Sequence, residues 1–250
     1  MKINGFETIL YEKRGPIAWV TLNRPSVLNV YNTTMRDDLY QVLEAVRDDP
    51  EVQGAIFCGA GERAFCAGAD LTEFGTAPSQ AIARRVRWQR DVWGLFLGME
   101  KPMVAALHGY VLGSGVEMAL LCDIRIASED AVFGLPELAL GMIPAAGATQ
   151  TLPRVLGAGP ALAILLTGCR FNAAEAYELG LVNRLVSRER LLDEAETIMG
   201  RILEQEPLAV RYAKRAVVQG MEMPLGRALE LESRLAAQLL RRGVRRFSGL

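Results

Sequence analysis

Glu117 and Glu137 are the residues whose placement most invites chemistry. Within residues 102–122 the only charged side chain is Glu117, and within 131–153 it is Glu137. A carboxylate set in apolar sequence is desolvated, which disfavours its charged form and raises its pKa. Burying it also costs free energy unless it is hydrogen-bonded or neutral. Two such acids fit a proton-transfer pair. Taken one at a time, each fits a separately satisfied core glutamate equally well, so the surroundings must decide.

Two glycine-rich segments supply those surroundings. The first, Ala64-Phe65-Cys66-Ala67-Gly68-Ala69-Asp70-Leu71, reads as a strand-end loop of small residues that a ligand or another backbone can approach closely. The second, Gly109-Tyr110-Val111-Leu112-Gly113-Ser114-Gly115-Val116-Glu117, places small residues where a strand turns into a helix. Free N–H groups at a helix start carry the positive end of its dipole and suit a developing oxyanion. An N–H from the 67–69 loop would complete such a hole. Tight strand–helix packing is the alternative use of both turns.

Several other chemistries are excluded by spacing. A nucleophile elbow around Ser114 needs glycine at positions 112 and 116, which are Leu112 and Val116. A dinucleotide fingerprint starting at Gly113 needs glycine at 118, which is Met118. The four cysteines, Cys58, Cys66, Cys122 and Cys169, form no C-x-x-C pair, so no metal site is expected. Cys66 reads as a small buried hydrophobe. Arg84, Arg85, Arg87 and Arg90 read as a solvated basic face, although they could also attract phosphates.

The elements that must position these residues alternate between strand and helix. Strands are predicted over 9–11, 17–22, 53–58, 103–107 and 123–127. A helix whose apolar positions run from Met35 to about residue 48 follows the N-cap candidates Asn32-Thr33-Thr34, and another runs through residue 121. One long helix is expected over 79–99, with Ile82, Val86, Trp93 and Leu97 on one side. Trp93 and Phe96 read as core, with an acyl-pocket wall as the sharper option. After a short strand over 182–186, helices over 190–205, 207–220 and 225–241 carry an apolar stripe through Val210, Ala213, Val217, Leu229, Leu235 and Leu239. That stripe is too wide for solvent. The alternation predicts an α/β fold. Residues 1–190 form its core, and 191–250 form a helical region that is not independent.

Composition sets broad limits. The 250 residues are half hydrophobic, with a formal net charge of −1, which gives no reason to expect nucleic acid or an anionic membrane as partner. No apolar run approaches the roughly 18 residues of a membrane helix. The N-terminal residues lack a signal-peptide core. A cytoplasmic protein is expected.

The motifs also carry a family resemblance. The chain resembles the crotonase, or enoyl-CoA hydratase/isomerase, superfamily in Leu22-Asn23-Arg24-Pro25 with Leu28-Asn29, and in both glycine-rich segments. It matches again in Cys122-Asp123, Phe133-Gly134-Leu135-Pro136-Glu137, residues 144–150, Thr167-Gly168 and residues 178–182. The resemblance implies a spiral of ββα units followed by C-terminal helices that build a homotrimer, or a dimer of trimers. It implies an acyl-CoA thioester substrate and no separate cofactor, coenzyme A being part of the substrate. Glu117 and Glu137 then stand as the two catalytic acids, and the N–H groups of Ala69 and Ser114 as the oxyanion hole. Ala67, Gly68, Asp70, Leu71, Gly113, Gly115, Pro136 and Ala145 would line the CoA and substrate path.

The expected activity is hydration of a 2-trans-enoyl-CoA; a double-bond isomerase and a silent acyl-CoA binder are the alternatives. Three departures from the family pattern stand out. Ser114 occupies a common glycine position, where only its N–H is needed. Ala145 and Ala148 replace glycines after Pro144 and are expected to narrow the site. The acidic-glycine-methionine segment of the tail is replaced by residues 240–247, which shortens the CoA-covering end.

Overall fold

The computed structural model describes residues 2–3 and 5–241. In chain order the strands are β1 (Lys2–Ile3), β2 (Ile9–Arg14), β3 (Ile17–Leu22), β4 (Gly54–Gly59), β5 (Ala64–Cys66), β6 (Met103–Leu107), β7 (Tyr110–Leu112), β8 (Ile124–Ser128), β9 (Val132–Gly134), β10 (Arg170–Asn172) and β11 (Arg184–Val186). The helices are α1 (Thr33–Asp48), α2 (Gln80–Gln89), α3 (Val92–Leu97), α4 (Ser114–Leu121), α5 (Ala148–Leu156), α6 (Ala158–Thr167), α7 (Ala173–Glu178), α8 (Leu191–Leu203), α9 (Pro207–Gly220) and α10 (Leu225–Arg241).

Two sheets organise the chain. The larger has the order β1-β2-β3-β4-β6-β8-β11, with strands parallel from β3 onward; the smaller has the order β10-β9-β7-β5. Successive turns repeat one pattern: β4 then β5, β6 then β7, β8 then β9. Each places a strand in the large sheet and the next in the small one. Helices follow each pair, giving the expected spiral of ββα units.

Parallel strands need cover on both faces. The residues of β6 are all buried. Leu39, Val42, Leu43 and Val46 of α1 pack on one face of the large sheet. Leu191, Ala195 and Met199 of α8 pack on the other, against Ile56, Val104 and Ile126. Of the region 191–250, α8 is therefore part of the packing of the core. Beyond it, α9 and α10 pack on each other.

The single helix expected over 79–99 is two. The side chain of Asp91 accepts from the Gly94 N–H and starts α3, while Arg90 leaves helical geometry. A capping aspartate offers the backbone an alternative to continuing the first helix. The break also changes the inward face. Val92 and Phe96 are buried, whereas Ile82 and Leu97 are exposed. The small sheet escaped the strand reading because β5, β7, β9 and β10 are three residues each, too short to show a period. Among the described residues no helix is long and apolar enough to cross a membrane. The tail departure falls mostly on residues 242–250, outside the described residues.

Candidate active site

The loop after β5 is stitched down along its length. Asn29, fully buried, donates from Nδ2 to the carbonyls of Ala60 (2.9 Å) and Ala64 (2.8 Å), and its Oδ1 accepts from Arg24 N–H (2.8 Å). Ala67 N–H donates to Leu28 O, Tyr31 N–H to Gly68 O, and Asp70 N–H to Tyr31 O. The last two bonds form a parallel bridge in which Tyr31 holds the residues on either side of Ala69. In that pattern the intervening residue turns its own N–H away from the partner strand. The Ala69 N–H donates to no backbone acceptor among the described residues. Arg24 reinforces the stitch, donating from Nη1 to Val30 O (2.8 Å) and Asp70 Oδ2 (3.1 Å). The ring of Trp93 packs against that of Tyr31, centroids 5.5 Å apart.

The second donor sits at the start of α4. Gly113 holds φ +50 ahead of the first helical residue, Ser114, whose N–H likewise meets no backbone acceptor among the described residues. A Cβ on Gly115 would collide with the Cys66 carbonyl, and one on Gly113 would stand 3.4 Å from Gly68 Cα. These glycines let the helix start close against the β5 loop. Each turn thus contributes an N–H with no backbone acceptor among the described residues, and the two turns lie against each other.

Both glutamates reach this place. Glu117, in the first turn of α4, is buried at 3 % exposure, and its Oε1 accepts from Ala146 N–H (2.8 Å) and Ala148 N–H (3.2 Å). Ala148 opens α5 after Gly147 at φ +118, so Glu117 faces a helix N-terminus, a setting that suits a carboxylate. With Oε1 held by two donors, any proton on Glu117 sits on Oε2. Glu137 comes from the turn after β9 and Pro136. A Cβ on Gly113 would stand 2.9 Å from its Oε1, and its Oε2 is buried with no hydrogen-bond partner among the described residues. Burial raises the pKa of Glu137, and the neighbouring charge of Glu117 adds to that rise.

The expected residues thus divide. Gly68, Ala69, Gly113, Ser114, Gly115, Glu117 and Glu137 converge. Asp70 gives its carboxylate to Arg24 and to the Thr72 hydroxyl (2.7 Å), and Leu71 and Ala145 are exposed. Ala148 does not narrow the site, because its side chain belongs to the main hydrophobic core. Ser114 is not paired with His108. That imidazole is buried, held neutral with its pKa lowered to about 4, and its charged neighbours are Arg188 and Asp130. Burial pushes the Cys66 thiol up to about 12, which keeps it neutral. Phe96 is core, against Phe57. Arg84 lies over Trp88 and Arg90 over Tyr40.

Sequence reasoning missed the roles of Asn29, Ala146 and Ala148. Asn29 had a weak signal, since asparagine tolerates its φ of +55 better than most residues do. Ala146 and Ala148 had none, because a backbone donor leaves no mark on side-chain type.

Comparison with known proteins places the chain in a family. A family model described as enoyl-CoA hydratase/isomerase matches residues 12–248. The chain is 40 % identical over 228 residues to a crotonyl-CoA hydratase of Syntrophomonas wolfei, covering 91 % of this chain and 88 % of that protein. It is 38 % identical over 225 residues to a short-chain-enoyl-CoA hydratase of Clostridium acetobutylicum, covering 90 % and 86 % respectively. The crystal structure of an enoyl-CoA hydratase from Bacillus anthracis superposes with a TM-score of 0.88 at 34 % identity, covering 94 % of this chain and 92 % of that one. With a family model matched over residues 12–248 and relatives about 40 % identical over nine-tenths of its length, this chain belongs to the enoyl-CoA hydratase/isomerase family.

Proposed function

We propose that this protein is an enoyl-CoA hydratase, adding water across the double bond of a 2-trans-enoyl-CoA with Glu117 as base and Glu137 as acid. The unequal setting of the two carboxyls carries the reading. Glu117 is hydrogen-bonded as an acceptor at a helix start, while Glu137 is raised toward its protonated form.

In this mechanism the thioester oxygen accepts from the N–H groups of Ala69 and Ser114, which stabilise the enolate-like charge. Glu117 Oε2 removes a proton from water as the water oxygen bonds to C3. Glu137 delivers its proton to C2. One acid gains a proton and the other loses one, and exchange with solvent restores the starting state. Coenzyme A belongs to the substrate, and no separate cofactor takes part. Its path runs along the Ala67–Leu71 loop, with the acyl end between Gly113 and Pro136.

The reading extends to a homotrimer or a dimer of trimers in the cytoplasm. Val217, Met221, Leu225 and Leu229 expose a large apolar surface on α9, α10 and the turn between them, which supports burial in an assembly. Cys58, Cys66 and Cys122 are buried free thiols, in keeping with a reducing compartment. Sedimentation showing a stable monomer at micromolar concentration overturns the assembly.

Crotonyl-CoA is the first substrate to test, because the relatives named above act on crotonyl-CoA and short-chain enoyl-CoA. Loss of the enoyl-thioester absorbance with formation of 3-hydroxybutyryl-CoA is expected. Turnover of a 3-enoyl-CoA to its 2-enoyl isomer, with no hydration of linear or cyclic 2-enoyl-CoAs, overturns the hydratase in favour of an isomerase.

A further inference from the structure

A second site lies at the opposite end of the large sheet. The oxyanion donors follow the C-terminal ends of β4 and β6, through β5 and β7. Residues 50–53 and 101–102 precede the N-terminal ends of those same strands. There a cavity of about 310 Å³ opens between the core and the start of α9, lined among others by Val52, Lys101, Pro102, Val210 and Arg211. That volume is at the lower end of small-ligand sites.

The charges around it do not cancel. Arg211 Nε is buried with no hydrogen-bond partner among the described residues, and a buried unpartnered donor on a cation is costly. Lys101, 9 % exposed, donates from Nζ to Val46 O (2.6 Å) and Asp49 O (2.7 Å), which leaves one of its three N–H groups. Burial lowers the Lys101 pKa; the charge of Asp49 opposes that shift and the closeness of Arg211 adds to it. The nearby acids are already engaged. Asp48 takes Arg47 (2.7 Å), while Asp49 and Glu51 take Lys13 (2.8 and 2.5 Å). No acid lines the cavity, and its remaining wall is largely apolar.

We propose that this cavity binds a small organic anion. Its phosphate or carboxylate oxygens sit on the Arg211 guanidinium and Lys101 Nζ, and a compact apolar body rests against Val52, Pro102 and Val210. Planar guanidinium and compact ammonium are the usual pair for such oxygens. Because Arg211 belongs to α9 and Lys101 to the core, the bound anion clamps the C-terminal helices to the sheet. It adds to the link already made by Lys214, which donates to Lys101 O (2.9 Å) and Asp123 Oδ2 (2.8 Å).

The test titrates the full-length protein with sodium phosphate and, separately, sodium butyrate, against sodium chloride at matched ionic strength. At least one oxyanion is expected to raise Tm saturably and to slow amide hydrogen exchange in α9. Phosphate alone assigns the headgroup as phosphoryl, and butyrate alone as carboxylate. Arg211→Gln should weaken binding roughly ten- to hundredfold, as expected for one hydrogen bond to a charged group. Arg211→Lys, which keeps the charge without the planar donor, should recover part of it. Arg215→Gln on the same helix serves as control and should change nothing. No saturable response to either anion beyond chloride, or an unchanged response in both Arg211 variants, overturns the proposal.

Discussion

Glu117 and Glu137 are the same residue type at the same site, yet their oxygens meet different surroundings. The Glu117 carboxyl is docked, with one oxygen on two backbone N–H groups at the start of α5. The Glu137 carboxyl is met only by its own backbone N–H, with one oxygen near Gly113 and the other buried without a hydrogen-bond partner among the described residues. Donors around an acid favour its charged form, and desolvation favours its neutral form. The difference teaches that the backbone around two like residues can give them opposite electrostatic settings, as the proposed mechanism requires.

The sharpest way to break the comparison is to remove either carboxylate. Glu117→Gln and Glu137→Gln should each lower kcat by about 10²–10⁴ with crotonyl-CoA. The double variant should be only modestly worse than the poorer single one, since the pair acts as a unit. Near-normal hydration by both folded single variants contradicts the assignment.

Next in size is the proposed oxyanion donor at Ser114, which in this mechanism holds the thioester oxygen. Ser114→Pro removes the N–H at the start of α4 and should cost about 10²–10³ in kcat, while Ser114→Ala keeps most of the activity. Circular dichroism and oligomer size report whether the proline variant is folded. An alanine variant as inactive as the proline one would mean that the hydroxyl is the reacting group.

A smaller effect isolates the docking of Glu117. Ala148 is the first residue of α5, where proline is tolerated, so Ala148→Pro deletes a donor to Oε1 with little damage to the helix. We expect kcat to fall on the order of tenfold, as for one hydrogen bond to a charged group. The acid limb of the pH–rate profile should move to higher pH. An unmoved limb would show that this bond does not set the protonation of Glu117.

The smallest effect is on stability, and it has the opposite sign. The pKa of Glu137 lies above its ordinary 4.5, so the folded state holds its proton more tightly than the unfolded chain does. The group therefore favours folding below pH 4.5, and that contribution is lost as pH rises through the raised value. Glu137→Gln should melt above the wild type at pH 7, with the gap closing below pH 4.5. Thermal melts with the same gap at both pH values would show that the carboxyl is not strained by burial.

Much of this was legible in the chain. The isolation of each glutamate in apolar sequence pointed to desolvation, which is nearly complete for Glu117 and partial for Glu137. Glycines at 113 and 115 announced close approach, and the structure puts the Glu137 carboxyl and Cys66 O within collision distance of where their Cβ atoms would be. Strand–helix alternation gave the α/β class, since hydrophobic period is a local property, while the spiral was implied by the family resemblance. The break at Asp91 was less visible, because a cap and a solvated helical aspartate look alike until the Gly94 N–H is seen to meet it.

The sequence by itself thus determined which residues could act and which elements would carry them: type, charge isolation and period are written along the chain. The tertiary structure alone decided which N–H groups meet no backbone acceptor, which acid is docked and which is met only by its own backbone N–H. Those outcomes depend on backbone atoms brought together from residues far apart, such as Tyr31 with Ala69 and Glu117 with Ala146. Every residue except proline carries the same N–H, so only its position in space distinguishes one donor from another.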